Sequence, residues 1–274
     1  MFKKSAILLL AIVVLAMMVA NCKPKKKNLE ENLDTPKKAK YESKADEGEI
    51  KGVIKFDGTA PERAKIDMSQ DANCVRAEGD KLNDDVLVEN GNLQNVFVYL
   101  KGGNADKFEF GAPSEVVVLD QHGCRYTPRV LGVQVGQTLE IRNSDQTTHN
   151  VHPSPKNNPE WNKVQSAGQA PFKEVFKKAE TLIPVKCNQH PWMVAHIGVL
   201  GHPFYAVSGK DGSFSIKNVP PGKYTLIAFH EKLGEKQMSI EVTAKESKVQ
   251  DLTFSPKAAF IPTSLTVEPA LIVP

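Results

Sequence analysis

The chain has 274 residues, with 35 Lys and Arg against 32 Asp and Glu, a formal net charge of +3. So small an excess, much of it in the first forty residues, makes no basic field for nucleic-acid phosphates and excludes that partner class. No paired-carboxylate motif, phosphate-cradling glycine loop or nucleophile elbow appears, so hydrolytic and nucleotide-dependent chemistry are excluded with it.

The chain opens on Phe2-Lys3-Lys4 and an unbroken apolar run over 6–20. A charged start and an apolar run too short to span a bilayer comfortably predict a signal peptide over 1–21. The run ends in Val19-Ala20-Asn21-Cys22, which resembles a bacterial lipobox, although Asn21 departs from the usual small residue. The resemblance implies lipidation of Cys22 and a membrane-anchored protein facing the periplasm or cell surface; the alternative is an ordinary secretory signal beside a chance cysteine. Residues 22–47, polar and Lys-rich, read as the lipidated Cys and a flexible tether.

Roughly 225 residues remain, enough for one large or two small domains. They read as all-β, with Gly and Pro every ten residues or so and no sustained helical period. Gly52-Val-Ile-Lys-Phe-Asp-Gly58 and Val96-Phe-Val-Tyr-Leu100 are strands. Val133 and Val135, then Leu139 and Ile141, alternate around Gly136-Gln137, which predicts a hairpin with one buried face. Asn143-Ser-Asp145 is a turn, followed by His149. Residues 153–172 form a long loop with a short helix expected near 160–164. Strand character returns over 175–183, a strand ends at Cys187, and another runs over 196–200.

Cys187-Asn-Gln-His190-Pro-Trp-Met193 places a thiolate, an imidazole and a thioether within seven residues. A thiolate with two imidazoles and a weak axial Met is the blue-copper arrangement, and His149 is the expected second imidazole. Singly, His149 is a turn residue and Cys187 and Met193 are core; their spacing together points to a metal. Zinc suits Cys and His, but Met is a poor zinc ligand. His152 is expected as a loop residue, His196 and His202 as structural or exposed, and His230 as lacking an evident partner. With Cys187 taken, Cys74 and Cys124 are a candidate disulfide. The alternatives are two buried free thiols, or a weak second metal site of Cys124 with His122.

Over about residues 112–202 the chain resembles the cupredoxin (blue copper) family. The matching elements are Tyr126-Thr-Pro128, Val135-Gly-Gln-Thr-Leu139, Asn143-Ser-Asp145, His149-Asn-Val151 and the loop 187–193, whose ligand spacing is similar to that of amicyanins and related plastocyanin-like methylamine-utilisation proteins. The resemblance implies a Greek-key β-sandwich over 111–202 holding one type 1 copper. The backbone amide of Asn150 would donate to the Cys187 sulfur and raise the potential. Pro191 and Trp192, with His190, are expected to form a partly exposed rim for electron exit. A second resemblance, to the carboxypeptidase regulatory-like (transthyretin-like) β-sandwich, rests on Asp211-Gly-Ser-Phe-Ser-Ile216, Asn218-Val-Pro-Pro-Gly222 and Lys223-Tyr-Thr-Leu-Ile-Ala228, with the two N-terminal strands. It implies a smaller sandwich split into 48–110 and 203–255, with the cupredoxin part inserted in it or packed against it, and a tail over 256–274.

These readings converge on an exported, non-enzymatic copper protein passing single electrons to a cytochrome or dehydrogenase. The alternatives are copper storage or delivery, or a surface interaction lipoprotein with an incidental metal. Mass spectrometry of the membrane-extracted protein should find a chain starting at an acylated Cys22; a start well beyond Cys22 would rule lipidation out.

Overall fold

The computed structural model describes residues 38–77 and 79–256. The signal peptide, Cys22 and most of the tail lie outside them. The described chain is all-β apart from two five-residue helices, Ala72–Arg76 and Gly103–Lys107. Among the described residues, no helix is long and apolar enough to cross a membrane.

Four main sheets form two sandwiches. In the first, Gly48–Phe56 pairs antiparallel with Ser213–Val219 and parallel with Ser247–Val249 and Leu252–Phe254. Facing it is a sheet of Tyr205–Val207, Phe97–Lys101, Gly222–His230 and Gly234–Val242, in that spatial order. Pro220-Pro221 makes the sharp turn between Ser213–Val219 and Gly222–His230, where proline presets the backbone and removes a donor. The strand pairs of this sandwich lie within or between 48–101 and 205–254. Strands from 117–200 pair among themselves, in sheets ordered Phe172–Val175, Thr138–Asn143, Val117–Gln121, Tyr126–Thr127 and Lys163–Gln165, His149–Pro153, Glu180–Lys186, Val194–Leu200, Val130–Gln134.

Alternation along the strands explains how the four sheets stack. Val98, Leu100, Leu226 and Ala228 point into the first core. Their neighbours Phe97, Tyr99 and Ile227 point the other way, onto Val130 and Leu200 of the second sandwich. Leu131, Val133, Ile197 and Val199 face the second core, with Leu119, Leu139, Ile141 and Ile183. The central strands of the two middle sheets are therefore covered on both faces.

The predicted hairpin does not form. Val130–Gln134 runs parallel to Val194–Leu200, while Thr138–Asn143 pairs with Val117–Gln121 in the opposite sheet. The chain crosses between the sheets at Gly136-Gln137 rather than folding back within one. The outward Gln134 is buried because the other sandwich lies over it; its amide donates to the carbonyls of Phe110 and Gly111, both at 3.0 Å. Residues 160–164 form no helix: Lys163–Gln165 is an edge strand against His149–Val151. The end of the expected tether is also structured. Ala39–Lys40 pairs with Phe108–Glu109, and Tyr41 packs on Phe108 and Phe110, apolar partners that a purely solvated tether would lack.

Gly132 and Gly198 are register partners at the contact between the sandwiches. A Cβ on Gly198 would lie 2.3 Å from the Phe97 ring, and one on Gly132 would lie 2.1 Å from the Tyr205 ring. The two rings stack with centroids 5.6 Å apart. Gly198→Ala should lower stability by about 1–3 kcal/mol through overpacking, with part of the loss recovered in the Gly198→Ala/Phe97→Leu double variant. Denaturant midpoints check this; no change in Gly198→Ala would mean that the sheets do not meet there.

Candidate metal centre

The loop 187–193 joins the antiparallel strands Glu180–Lys186 and Val194–Leu200. It is closed on itself: the Cys187 amide donates to the Met193 carbonyl (3.2 Å) and the Met193 amide to the His190 carbonyl (2.9 Å). His149 opens the next strand over, His149–Pro153, whose pairing of His152 with Lys186 brings His149 beside the loop. The Cys187 side chain is 2% exposed, and Met193 is fully buried in the same apolar cluster.

Three donors converge. His149 Nδ1 and His190 Nδ1 are 2.9 Å apart, Cys187 Sγ is 3.7 Å from His190 Nδ1, and all three atoms lie within 4.8 Å of one another. The rings meet edge-on, 4.7 Å between centroids. A soft thiolate and two imidazoles presenting the same nitrogen, with a thioether in the surrounding core, fit a copper ion by donor type and reach.

The outer nitrogens are both held by carboxylates. His149 Nε2 is 2.9 Å from Asp145 Oδ2, and His190 Nε2 is 3.2 Å from Asp71 Oδ2. A carboxylate at Nε2 keeps the ring proton there and leaves Nδ1 as a lone-pair donor. Asp145 is held by the predicted turn: its amide donates to Asn143 Oδ1 (3.1 Å), and its carboxylate accepts from the amides of Gly123 (2.7 Å) and Cys124 (2.8 Å). Those bonds secure Cys124 in the left-handed region, at φ 53°, which non-glycine residues seldom adopt.

Burial pushes the Cys187 thiol up, but bonds from His149, His190 and the amides of Asn150 and Gln189 outweigh it and bring the pKa down to about 5. Burial also opposes a charged His149, yet Asp145 and Cys187 beside it hold its pKa above the usual imidazole range. Asn150 reaches the sulfur with its side chain as well as its amide: Oδ1 lies 3.3 Å from Sγ and also accepts the Asn188 amide at 2.8 Å. The same side chain thus ties the sulfur to the strand bearing His149.

Residues 61–77 and 79–85 lie across this end of the sandwich. Cys74 and Cys124 are joined by a disulfide. Asp71 caps the helix Ala72–Arg76, its Oδ1 accepting the amides of Asn73 (2.8 Å) and Cys74 (3.4 Å). Further along, Arg129, at the start of strand Val130–Gln134, is buried against Asp84, Asp85 (2.7 Å) and Glu231 (2.5 Å), which joins this segment to both sandwiches. This covering hides the His190 part of the expected partly exposed rim. Pro191 is exposed and Trp192 half-buried, but His190 is only 4% exposed. Asp71 holds its outer edge, and Trp192 packs on it with ring centroids 5.2 Å apart while donating to the Cys124 carbonyl at 3.1 Å.

The remaining histidines lie away from the donors. His152 bonds Glu160 (2.6 Å) and Asn188 (3.2 Å). His196 is half-buried near Glu231. His202 Nδ1 accepts the Phe204 amide at 3.2 Å. His230, expected to lack a partner, accepts the amides of Lys232 (3.2 Å) and Leu233 (3.4 Å). Burial drives both His202 and His230 down to about 4. Asp71 and Asp145 are the site residues that the sequence did not single out; the available signals were the cap pattern of Asp71-Ala-Asn-Cys74 and the turn ending at Asp145. In the metal-free protein, the ultraviolet absorbance of the Cys187 thiolate should persist on acidification to about pH 5. Loss of that absorbance near the usual thiol range of about 8.5 would show that the bonds to sulfur are not made.

Residues 204–255 match the family described as BOS complex subunit NOMO1-like, second beta sandwich domain. No curated protein matches the chain in sequence. Solved structures similar to it include a copper-containing nitrite reductase from Thermus scotoductus SA-01, at 21% identity over 36% of this chain and 25% of that one, TM-score 0.29. The chain thus spans about a quarter of that reductase. An amicyanin mutant in its oxidized state is 23% identical over 31% of this chain and 81% of its own, TM-score 0.28. A purple cupredoxin from Nitrosopumilus maritimus is 22% identical over 31% and 99%, TM-score 0.26.

Proposed function

We propose that this chain is an exported, lipid-anchored copper protein of the cupredoxin kind that carries single electrons between redox partners. The observation that carries the reading is the convergence of His149 Nδ1, His190 Nδ1 and Cys187 Sγ within 4.8 Å, in a buried site whose core includes Met193. His149, Cys187 and His190 would hold the ion strongly, with Met193 as a weaker fourth donor. Bound copper supplies a one-electron couple.

The protein's own part is to hold the donors still and dry. Asp145 and Asp71 fix the ring tautomers, and the backbone amides of Asn150 and Gln189 favour the thiolate. Donors already placed by a folded core need little rearrangement when the ligand charge changes, which suits electron transfer. With four protein ligands assigned, no open position is left for a substrate, so the reading is a carrier rather than an enzyme. Its partners would be a cytochrome or dehydrogenase, approached where Pro191 and Trp192 reach the surface beside His190. In the same reading, the copper sandwich is an insertion between the halves 48–110 and 203–255 of the other.

Adding Cu(II) to the purified protein should give an intense visible thiolate-to-copper band, lost in Cys187→Ser. Absence of the band, or its survival in Cys187→Ser, overturns the assignment. Reversible voltammetry with fast exchange to a cytochrome supports the carrier; ready loss of Cu(I) to a chelator moves the reading to copper delivery.

A further inference from the structure

The two histidines of the centre share an outer arrangement that the metal set itself does not require. Each turns Nδ1 inward and gives Nε2 to a carboxylate. Asp145 belongs to the sandwich that carries the ligands and also anchors the amides of Gly123 and Cys124. Asp71 comes from 119 positions before His190, on the segment strapped over the site. Its Oδ2 accepts Thr147 Oγ1 at 2.7 Å as well as His190 Nε2, and its Oδ1 caps the helix Ala72–Arg76, which the disulfide fastens through Cys74. The carboxylate is thus held from both sides and cannot follow the solvent. It also occupies the edge through which His190 would otherwise meet water.

We propose that Asp71 is a positioning and charge-setting residue for the copper centre: its carboxylate pins the His190 ring and places a fixed negative charge one imidazole away from the ion, favouring Cu(II) over Cu(I). The inference rests on the copper reading. The ion gains one positive charge on oxidation, and an anion a few ångströms beyond the ligand stabilises that extra charge. In a protein interior of effective dielectric about 20, a unit charge at that range changes the preference by tenfold or more. For a one-electron couple, tenfold is about 59 mV. One electron passes between the electrode and the centre, and no bond to Asp71 is made or broken.

Asp71→Asn tests the charge. Asn is of the same size and is an equally good helix cap, so the covering segment keeps its fold; Asp71→Ser, another good cap, serves if the first variant is unstable. The expected result is an intact thiolate-to-copper band with a reduction potential raised by at least about 59 mV. An intact band with an unchanged potential overturns the proposal. A second readout needs no metal: in the metal-free protein, nitrogen NMR should show the His190 Nε2 resonance moved by Asp71→Asn and that of His149 left in place. An unmoved His190 signal overturns the contact itself. A wild-type protein without the band removes the copper reading, and the charge-setting role with it, while the NMR shift still reports whether Asp71 holds His190.

Discussion

The parallel pairing of Val130–Gln134 with Val194–Leu200 is the constraint on which the rest of the structure depends. It brings a strand from early in the 117–200 segment beside the strand that leaves the ligand loop. On one face it supplies Leu131, Val133, Ile197 and Val199 to the core beneath the donors. On the other, two paired glycines leave a flat floor for Phe97 and Tyr205. The same ladder therefore holds the site and joins the sandwiches. Side chains at the glycine positions would force the layers apart, and the cost would be felt on both sides of the ladder.

Above that floor, the site is held by charges arranged in two tiers. The inner tier is the Cys187 sulfur and two imidazoles. The outer tier is Asp71 and Asp145, with Arg129 farther off gathering Asp84, Asp85 and Glu231. Burying a charge is expensive unless it is paired and hydrogen-bonded, and each of these groups is paired. Removing Arg129, the most buried member, costs about 3–5 kcal/mol, because it strands the carboxylates gathered around it. The Cys74–Cys124 link adds to this: it closes a loop of 50 residues, worth about 4 kcal/mol in the chain-entropy account. The covering segment needs both ties, since it has little apolar surface of its own beyond Met68, Ile66 and Ala77.

The sequence carried the inner tier openly because Cys187, His190 and Met193 sit on one short loop, where spacing alone constrains their geometry. His149 was legible from its place after the turn at 143–145. The outer tier was hidden for a physical reason. A carboxylate that caps a helix or ends a turn looks the same whether or not it also meets an imidazole, and the partner of Asp71 lies 119 positions away. The same limit explains the hairpin expected around Gly136. Alternation of Val133 and Val135 across Gln134 signals one buried face, yet Gln134 is buried too, because a second sandwich covers the side that should have faced water. The turn between Ser213–Val219 and Gly222–His230 was easier to read, since Pro220-Pro221-Gly222 imposes it locally and the flanking strands alternate in burial.

The disulfide has a consequence for how the chain must mature. Among the described residues, three thiols are made in the order Cys74, Cys124, Cys187, and before the chain folds an oxidant does not distinguish among them. Of the pairings among these three, only Cys74 with Cys124 leaves the Cys187 sulfur free. The wall around Cys187 therefore acts as a sorting device. Once the loop 187–193 has closed and its sulfur is sealed in the core, the other two described cysteines are left to each other, and the bond that straps the cover in place is the one that spares Cys187.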